Sequence, residues 1–375
     1  MSMLRGAGAG RLVVTYSHNG KRVDVHEAAT REEIARRLAA LMDCAYEGEY
    51  DARRRYAMSP YFVPGATLTL QTALRLAIHS ETDLFGGVVS HPYMATKTIT
   101  HPLVDVRSRA PGGWCGAFAR QVVDVVLDGF SAFTKEDASR AGTKLLERGA
   151  VRIKRADGVA GLGQRTVDSA TALADVLAAI DAEEMARSGI VIEQNLDDVV
   201  TFSVGQVRAA GLVGTYCGTQ RLTTNHRGAD VYGGSDLVVV RGDFDALIDL
   251  QWDQSARLAI AQARVYDTAA RQSFEGFFAS RRNYDVLQGS DAAGRRRSGV
   301  LEQSWRPGGA TGAELGALQA FQEDAGLNLV RARSREVYGE APELPADAVV
   351  YFAGVDPRIG PLTKYAWTEP HGHTR

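Results

Sequence analysis

A chain of 375 residues is too long for one ordinary core, so two or three lobes are expected. Hydrophobic content of 45% with 23% charged residues is that of a globular protein, and a formal net charge of -2 removes the electrostatic case for nucleic acid or an anionic membrane as partner. The cysteines, Cys44, Cys115 and Cys217, show no metal-ligand spacing and read as free thiols of a reducing compartment. No apolar h-region precedes the first candidate strand, and no run approaches the roughly 18 apolar residues of a membrane span, so a cytoplasmic protein is expected.

In chain order, Leu12-Val13-Val14-Thr15-Tyr16 and Arg22-Val23-Asp24-Val25 flank Asn19-Gly20, the short-range signature of a β-hairpin. The glycine run from Gly6 to Gly10 precedes that strand and so fails the context of a dinucleotide fingerprint. Thr30 and Glu33 form a capping box for an amphipathic helix reaching about Asp43. Residues 46–64 are polar and aromatic without a period and read as irregular, 68–78 as a helix and 84–89 as a short strand. The next segment carries His91, Lys97 and several hydroxyls, followed by His101-Pro102; it either faces a substrate or is an ordinary surface loop. Residues 117–128 read as a second amphipathic helix.

Near Ser131 the pattern becomes denser: a helix over 135–148, a stop at Gly149, and a strand Val151-Arg152-Ile153-Lys154. Gly158, Gly161 and Gly163 then let backbone N–H groups converge on an anion beside the Lys154 charge, although a plain hairpin turn has the same composition, and the Gly-Lys-Ser/Thr ending of a Walker loop is absent. A helix over 169–181 leads to a buried strand, 189–193, ending in Glu193, and a second strand, 201–207, follows. Glu193 is thereby placed at a lobe boundary, either reading an adenine amino group or standing exposed at a strand end. Residues 220–235, with Arg221, Asn225, His226 and Arg227, read as a mobile basic loop before a strand at 237–240, and a largely buried helix lies within 242–266.

The densest chemistry lies at 283–314. Tyr284-Asp285-Val286-Leu287 and Val300-Leu301-Glu302 read as two strands joined by a polar turn, which sets Asp285 near Glu302. Two carboxylates at such a distance share a proton or hold a cation between them. Arg306 and the pair Gly308-Gly309 add a guanidinium fork and a backbone that phosphate can approach. A helix over 313–323, a late strand over 348–352 and a Pro/Gly-rich tail from 354 complete the chain.

Taken in order, four segments resemble the ATP-grasp superfamily. Residues 139–149, with Arg140 and Lys144, are similar to the helix opening the family's first lobe; residues 151–163 look like the strand of the phosphate lysine, Lys154, and its glycine loop. Glu193-Gln194-Asn195-Leu196 sits where the family's hinge binds adenine, and Leu301 to Gly309 resembles the Glu-x-Asn-x-Arg-Pro-Gly-Gly strand that holds magnesium, with Ser304 where the family has Asn. Asn283 stands where some ligases carry an arginine, which would pass that role to Arg306 or Arg227.

The resemblance implies an α+β chain: an N-terminal α/β pre-grasp domain over 1–130, a first lobe over 131–195 and a second over 196–375, the two lobes clasping a nucleotide. It implies ATP and Mg2+ as cofactors, with Asp285, Glu302 and Ser304 on the metal and Lys154, Arg306 and Arg227 as catalytic cations. Arg140, Lys144, Gly158, Gly161, Gly163 and 193–196 would bind the nucleotide. The implied reaction is a carboxylate–amine ligation through an acylphosphate, with small-molecule substrates and a homodimer as the default assembly. A hydroxyl kinase and an inactive nucleotide binder are the alternatives.

Overall fold

The computed structural model describes residues 10–17, 24–156, 158 and 163–369. The first sheet is parallel, with strands β1 (Arg11–Tyr16), β2 (Ala45–Glu49) and β3 (Ser59–Pro64) in the order β2-β1-β3. Helix α1 (Val25–Leu41) makes the crossover from β1 to β2, burying Ile34, Ala35 and Leu38. This arrangement corrects three sequence expectations. Helix α1 already contains Val25, so Thr30 lies inside it and caps nothing, and the proposed hairpin return strand is not formed at that residue. The Asn19-Gly20 turn falls outside the described residues. Residues 46–64 are irregular only between β2 and β3: in β3, Tyr61 to Pro64 form a buried run whose prolines hide a parallel edge strand from period-2 analysis.

A short strand β4 (Leu68–Thr69) leads into α2 (Leu70–Arg75), shorter than expected because Thr69 caps it through Thr72 N, and β5 (Gly87–Val89) pairs with β4. After two 3-10 turns and α3 (Gly116–Val122), the chain enters a four-stranded antiparallel sheet. Its elements are β6 (Gly129–Ala132), α4 (Lys135–Leu146), β7 (Val151–Arg155), β8 (Gln164–Val167), α5 (Ala170–Ala178), α6 (Ala182–Ser188) and β9 (Ile190–Gln194), with strand order β6-β9-β7-β8. Thr134 and Ser169 cap α4 and α5, and the small residues Ala138, Ala141 and Gly142 let the two helices pack closely with Leu173 and Leu177 over Ile153 and Ile192.

The rest of the chain builds an eight-stranded antiparallel sheet. Strands β10 (Asp197–Ala209), β11 (Leu212–Thr224) and β12 (Asp230–Arg241) form its centre, followed by α7 (Phe244–Ile248) and α8 (Gln254–Ser273). Strand β13 (Phe278–Ala279) returns to pair with β5, and β14 (Arg281–Ser290) and β15 (Arg296–Ser304) form the expected hairpin at greater length. Helix α9 (Thr311–Glu323) and strands β16 (Leu329–Tyr338), β17 (Val349–Asp356) and β18 (Gly360–Thr368) complete the order β15-β14-β10-β11-β12-β16-β18-β17. One core packs Ala259, Ile260 and Tyr266 of α8 against Val204, Tyr284 and Val286; another packs Leu318 of α9 and Leu38 of α1 against Val239 and Val330. Residues 220–235 are therefore mostly the paired ends of β11 and β12, not a mobile loop, and the tail is largely strand. The chain is mixed helix and sheet, as expected.

Candidate active site

Lys154 lies near the end of β7 with only 3% of its surface exposed, and Glu193 faces it from the neighbouring strand β9. An isolated ammonium in such a place would cost several kcal/mol. The structure compensates it: Lys154 Nζ is 2.5 Å from Glu193 Oε1, and Glu193 Oε2 is 3.1 Å from His101 Nε2. Burial pushes the Glu193 carboxyl up, but Lys154 first and then His101 outweigh it, and the pKa falls to about 2. Gly129 on β6 stands opposite Glu193, and a methyl group there would meet the His101 ring at 2.8 Å, so the imidazole needs the missing side chain.

The β14–β15 hairpin places Asp285 opposite Glu302. Asp285 Oδ1 accepts from Asn283 Nδ2 at 2.8 Å. Burial, and next the Glu302 charge, raise the Asp285 carboxyl to about 6. One residue pair further along, Asn283 faces Ser304. Asn283 Oδ1 accepts from Tyr216, whose hydroxyl also contacts Glu314 Oε1 at 2.6 Å. Glu314 in turn holds Arg281 by a bidentate pair, both contacts at 2.8 Å, and Arg281 Nη1 donates to the carbonyls of Ser304 and Arg306. A buried fork thus fixes the backbone that carries Ser304 and Arg306. Arg306 itself is half-buried, its only hydrogen bond among the described residues being Nη1 to its neighbour Pro307 O at 2.9 Å; burial and then Arg281 lower its pKa.

The segment around Lys97 joins these two clusters. Lys97 is 5% exposed; its Nζ lies 2.8 Å from Glu302 Oε2 and 2.8 Å from the carbonyl of Gly158. Gln303 Nε2 donates to Met94 O at 3.0 Å and Thr96 O at 2.9 Å, while Ser131 Oγ donates to Thr98 O at 2.5 Å. One stretch, 94–101, is therefore stitched to β15 on one side and β6 on the other. It brings Lys97 to Glu302 and His101 to Glu193. The surface-loop reading of this segment is overturned. The available signal was a lysine set among Ala95, Thr98, Ile99 and Thr100, small and β-branched neighbours that suit a buried position.

The remaining expected residues scatter. Arg140 pairs with Asp137 on its own helix and Lys144 lies over the Phe130 ring at 5.1 Å, so each has a local partner on α4 or β6. Gly158 and Gly163 belong to the connection between β7 and β8, while Gly161 falls outside the described residues. At the hinge, Gln194 N donates to Asp128 O, Asn195 N to Ala150 O, and Leu196 is buried beside Leu127 and Leu287. The Glu193 carboxylate serves Lys154 and His101 instead of facing an open cleft. Arg227 sits in the turn between β11 and β12, where His226 packs against Pro361, and no contact joins it to Asp285 or Glu302 among the described residues.

Magnesium suits the donor set at Asp285 and Glu302. The described residues hold no cluster of three or more His, Cys, Asp or Glu side chains, but Mg2+ is commonly held by one or two carboxylates plus substrate phosphates. A like-charged pair whose one member is pushed to about 6 is short of positive charge, which a cation supplies.

Among solved structures, the biotin carboxylase–β-γ-ATP complex from Campylobacter jejuni is similar at a TM-score of 0.51 and 9% identity, over 96% of this chain and 87% of that one. The carboxyaminoimidazole ribonucleotide synthase from Aspergillus clavatus complexed with ATP gives 0.51 and 12%, over 97% and 94%. These likenesses carry the fold, and the chain has the ATP-grasp fold. No curated protein matches it in sequence. No helix among the described residues is long and apolar enough to cross a membrane. A family model matches residues 13–366, nearly the whole chain, and the protein belongs to that family, described as "Protein of unknown function (DUF3182)".

Proposed function

We propose that this chain is an ATP- and Mg2+-dependent ligase that activates a substrate carboxylate as an acylphosphate for capture by an amine. The observation that supports this most is the meeting of Lys97, Asp285 and Glu302, with Lys97 also reaching the Gly158 carbonyl. In the proposed reaction a carboxylate oxygen attacks the γ-phosphorus in line, the bond to ADP breaks, and ADP departs. The amine nitrogen then attacks the acyl carbon, phosphate leaves with its electron pair, and the surplus amine proton goes to solvent.

Little covalent work falls to the protein, so positioning and charge decide the rate. Lys97 is the cation for phosphoryl oxygens, exchanging Glu302 for them when the nucleotide binds, while Lys154 stays paired with Glu193 and holds β7 against β9. Arg306, fixed through its backbone by Arg281, faces developing negative charge. Asp285, Glu302 and the Ser304 hydroxyl would hold Mg2+, which supplies Lewis-acid neutralisation of the phosphates. In this reading 1–130 is the pre-grasp domain and 131–195 and 196–375 are the lobes, in keeping with sheets built from 129–194 and 197–368. The free thiols of Cys44, Cys115 and Cys217 suit a cytoplasmic site.

The test incubates the protein with Mg·ATP, a panel of small carboxylates and hydroxylamine, and reads ADP and hydroxamate. Hydroxamate formation with stoichiometric ADP is the expected result. A stable phosphomonoester in place of hydroxamate would move the assignment to a hydroxyl kinase, and nucleotide binding without ADP formation across the panel would defeat catalysis altogether.

A further inference from the structure

The pre-grasp sheet contains a buried cation that the proposed reaction leaves unused. Arg31 is 9% exposed, yet no carboxylate pairs with it among the described residues. Its Nη2 donates to Ser17 Oγ at 2.6 Å, and its Nε finds no hydrogen-bond partner. Buried guanidinium groups are ordinarily matched by an anion, since an unpaired charge is costly away from water. The location gives this meaning. Ser17 follows β1 and Gly65 follows β3, and the order β2-β1-β3 reverses direction between those two strands. In open parallel sheets the crevice beyond the carboxyl ends of strands at such a reversal is where ligands bind.

Gly65 lets the guanidinium lie against the chain after β3: a methyl group on it would lie 2.2 Å from Arg31 Nη1. The chain at the end of β3 also lies near the end of β15. Pro64, before Gly65, and the carbonyl of Trp305, before Arg306, would lie 3.3 and 3.4 Å from a methyl group on Gly86, so the two chain segments are neighbours. Glu27, one helical turn before Arg31, acts electrostatically on Arg306.

We propose that Arg31, with Ser17 and the guanidinium seated against Gly65, binds an oxyanion of the acceptor substrate, a carboxylate or a phosphate group distinct from the one that reacts. This names a substrate class, a molecule bearing at least one anionic group besides its reacting end, and it rests on the ligase reading above. Calorimetric titration of the full chain with inorganic phosphate, and separately with succinate, at ionic strength held by NaCl, tests it. Saturable binding of at least one anion is expected, with phosphate alone indicating a phosphorylated substrate and succinate alone a dicarboxylate. Arg31→Gln and Gly65→Ala should each weaken that binding at least tenfold, and Arg31→Lys less. Mg·ADP affinity of Arg31→Gln should stay within twofold of the parent. Binding of neither anion, or undiminished binding in folded Arg31→Gln and Gly65→Ala proteins, would overturn the site. Should Arg31→Gln not fold, Arg31→Lys and Gly65→Ala carry the same comparison. Failure of the parent chain to bind Mg·ADP strikes the ligase reading instead, and leaves the anion result legible by itself.

Discussion

Glu193 and Glu302 are both glutamates facing a lysine, but their surroundings make them opposites. Glu193 is 1% exposed, holds Lys154 on one oxygen and His101 on the other, and titrates near 2. Glu302 keeps about a third of its side chain exposed, shares Lys97 with a backbone carbonyl, and stands opposite a second carboxylate whose proton is held up to about 6. The first cluster is electrostatically complete and locks β7 to β9. The second carries two carboxylates against one ammonium. Folding chemistry closes its charge balance, whereas a site that takes a cation and a polyanion leaves it open.

The largest expected effect breaks the complete cluster. Glu193→Gln leaves Lys154 buried without an anion, and about 3–5 kcal/mol of stability should be lost. Denaturant unfolding measures this directly, and a loss under about 1 kcal/mol would show that Lys154 reaches solvent or another partner. Close behind comes Glu302→Gln. It relieves the repulsion that adds to burial in raising Asp285 but takes the anion from buried Lys97, so its stability should fall less than that of Glu193→Gln, while ADP formation should drop by about 10²–10³, roughly 3–4 kcal/mol of transition-state stabilisation. Unchanged turnover in a folded Glu302→Gln protein would sink the metal assignment.

Acid separates the two clusters by sign. The Asp285 pKa is raised on folding, so the folded state takes up a proton there between about pH 4 and 6, and this group's contribution to stability declines as pH rises through that window. Cation binding runs the other way, because the proton competes with the metal. Mg2+-dependent nucleotide affinity should be about tenfold weaker at pH 5 than at pH 7, as a single group titrating near 6 requires. Glu193, with its pKa lowered to about 2, contributes stability that is full above about pH 4.5 and lost as pH falls toward 2. A flat affinity from pH 5 to 7 would place the competing proton on some other group.

How much of this could be read from the chain depends on the range of the interaction. The Asp285–Glu302 juxtaposition was legible because a hairpin's register is local, set by two alternating strands and a polar turn. Lys97 was only hinted at by its small and β-branched neighbours, because what it docks against depends on Gln303 reaching Met94 and Thr96 from about two hundred residues away. Glu193 was read as ending a strand, and it does lie near the end of β9, but its partner His101 lies on another element, so its carboxylate was assigned to a ligand when it belongs to a lysine. Strand β3 escaped notice because its run from Tyr61 to Pro64 is buried on both faces and has no polar alternate to mark its period.

The smallest effect tests the sharpest disagreement between pattern and position. Helical periodicity puts Arg140 on α4 but does not say which way its exposed face looks, and the likeness of that helix to a nucleotide-binding one made Arg140 a candidate for ATP. Its guanidinium instead turns back to Asp137 and remains about half exposed, while Lys97, from an unrelated segment, occupies the space beside Glu302. Arg140→Ala should therefore cost no more than about 1 kcal/mol of stability, the range of a partly exposed pair, and leave Mg·ATP affinity unchanged. Lys97→Met, measured beside it, should lower that affinity at least tenfold, since it removes a buried cation next to the carboxylate pair. If the two results came out reversed, helix α4 would have to turn toward the nucleotide on binding, and the open cluster at Glu302 would be completed from α4 instead of from residues 94–101.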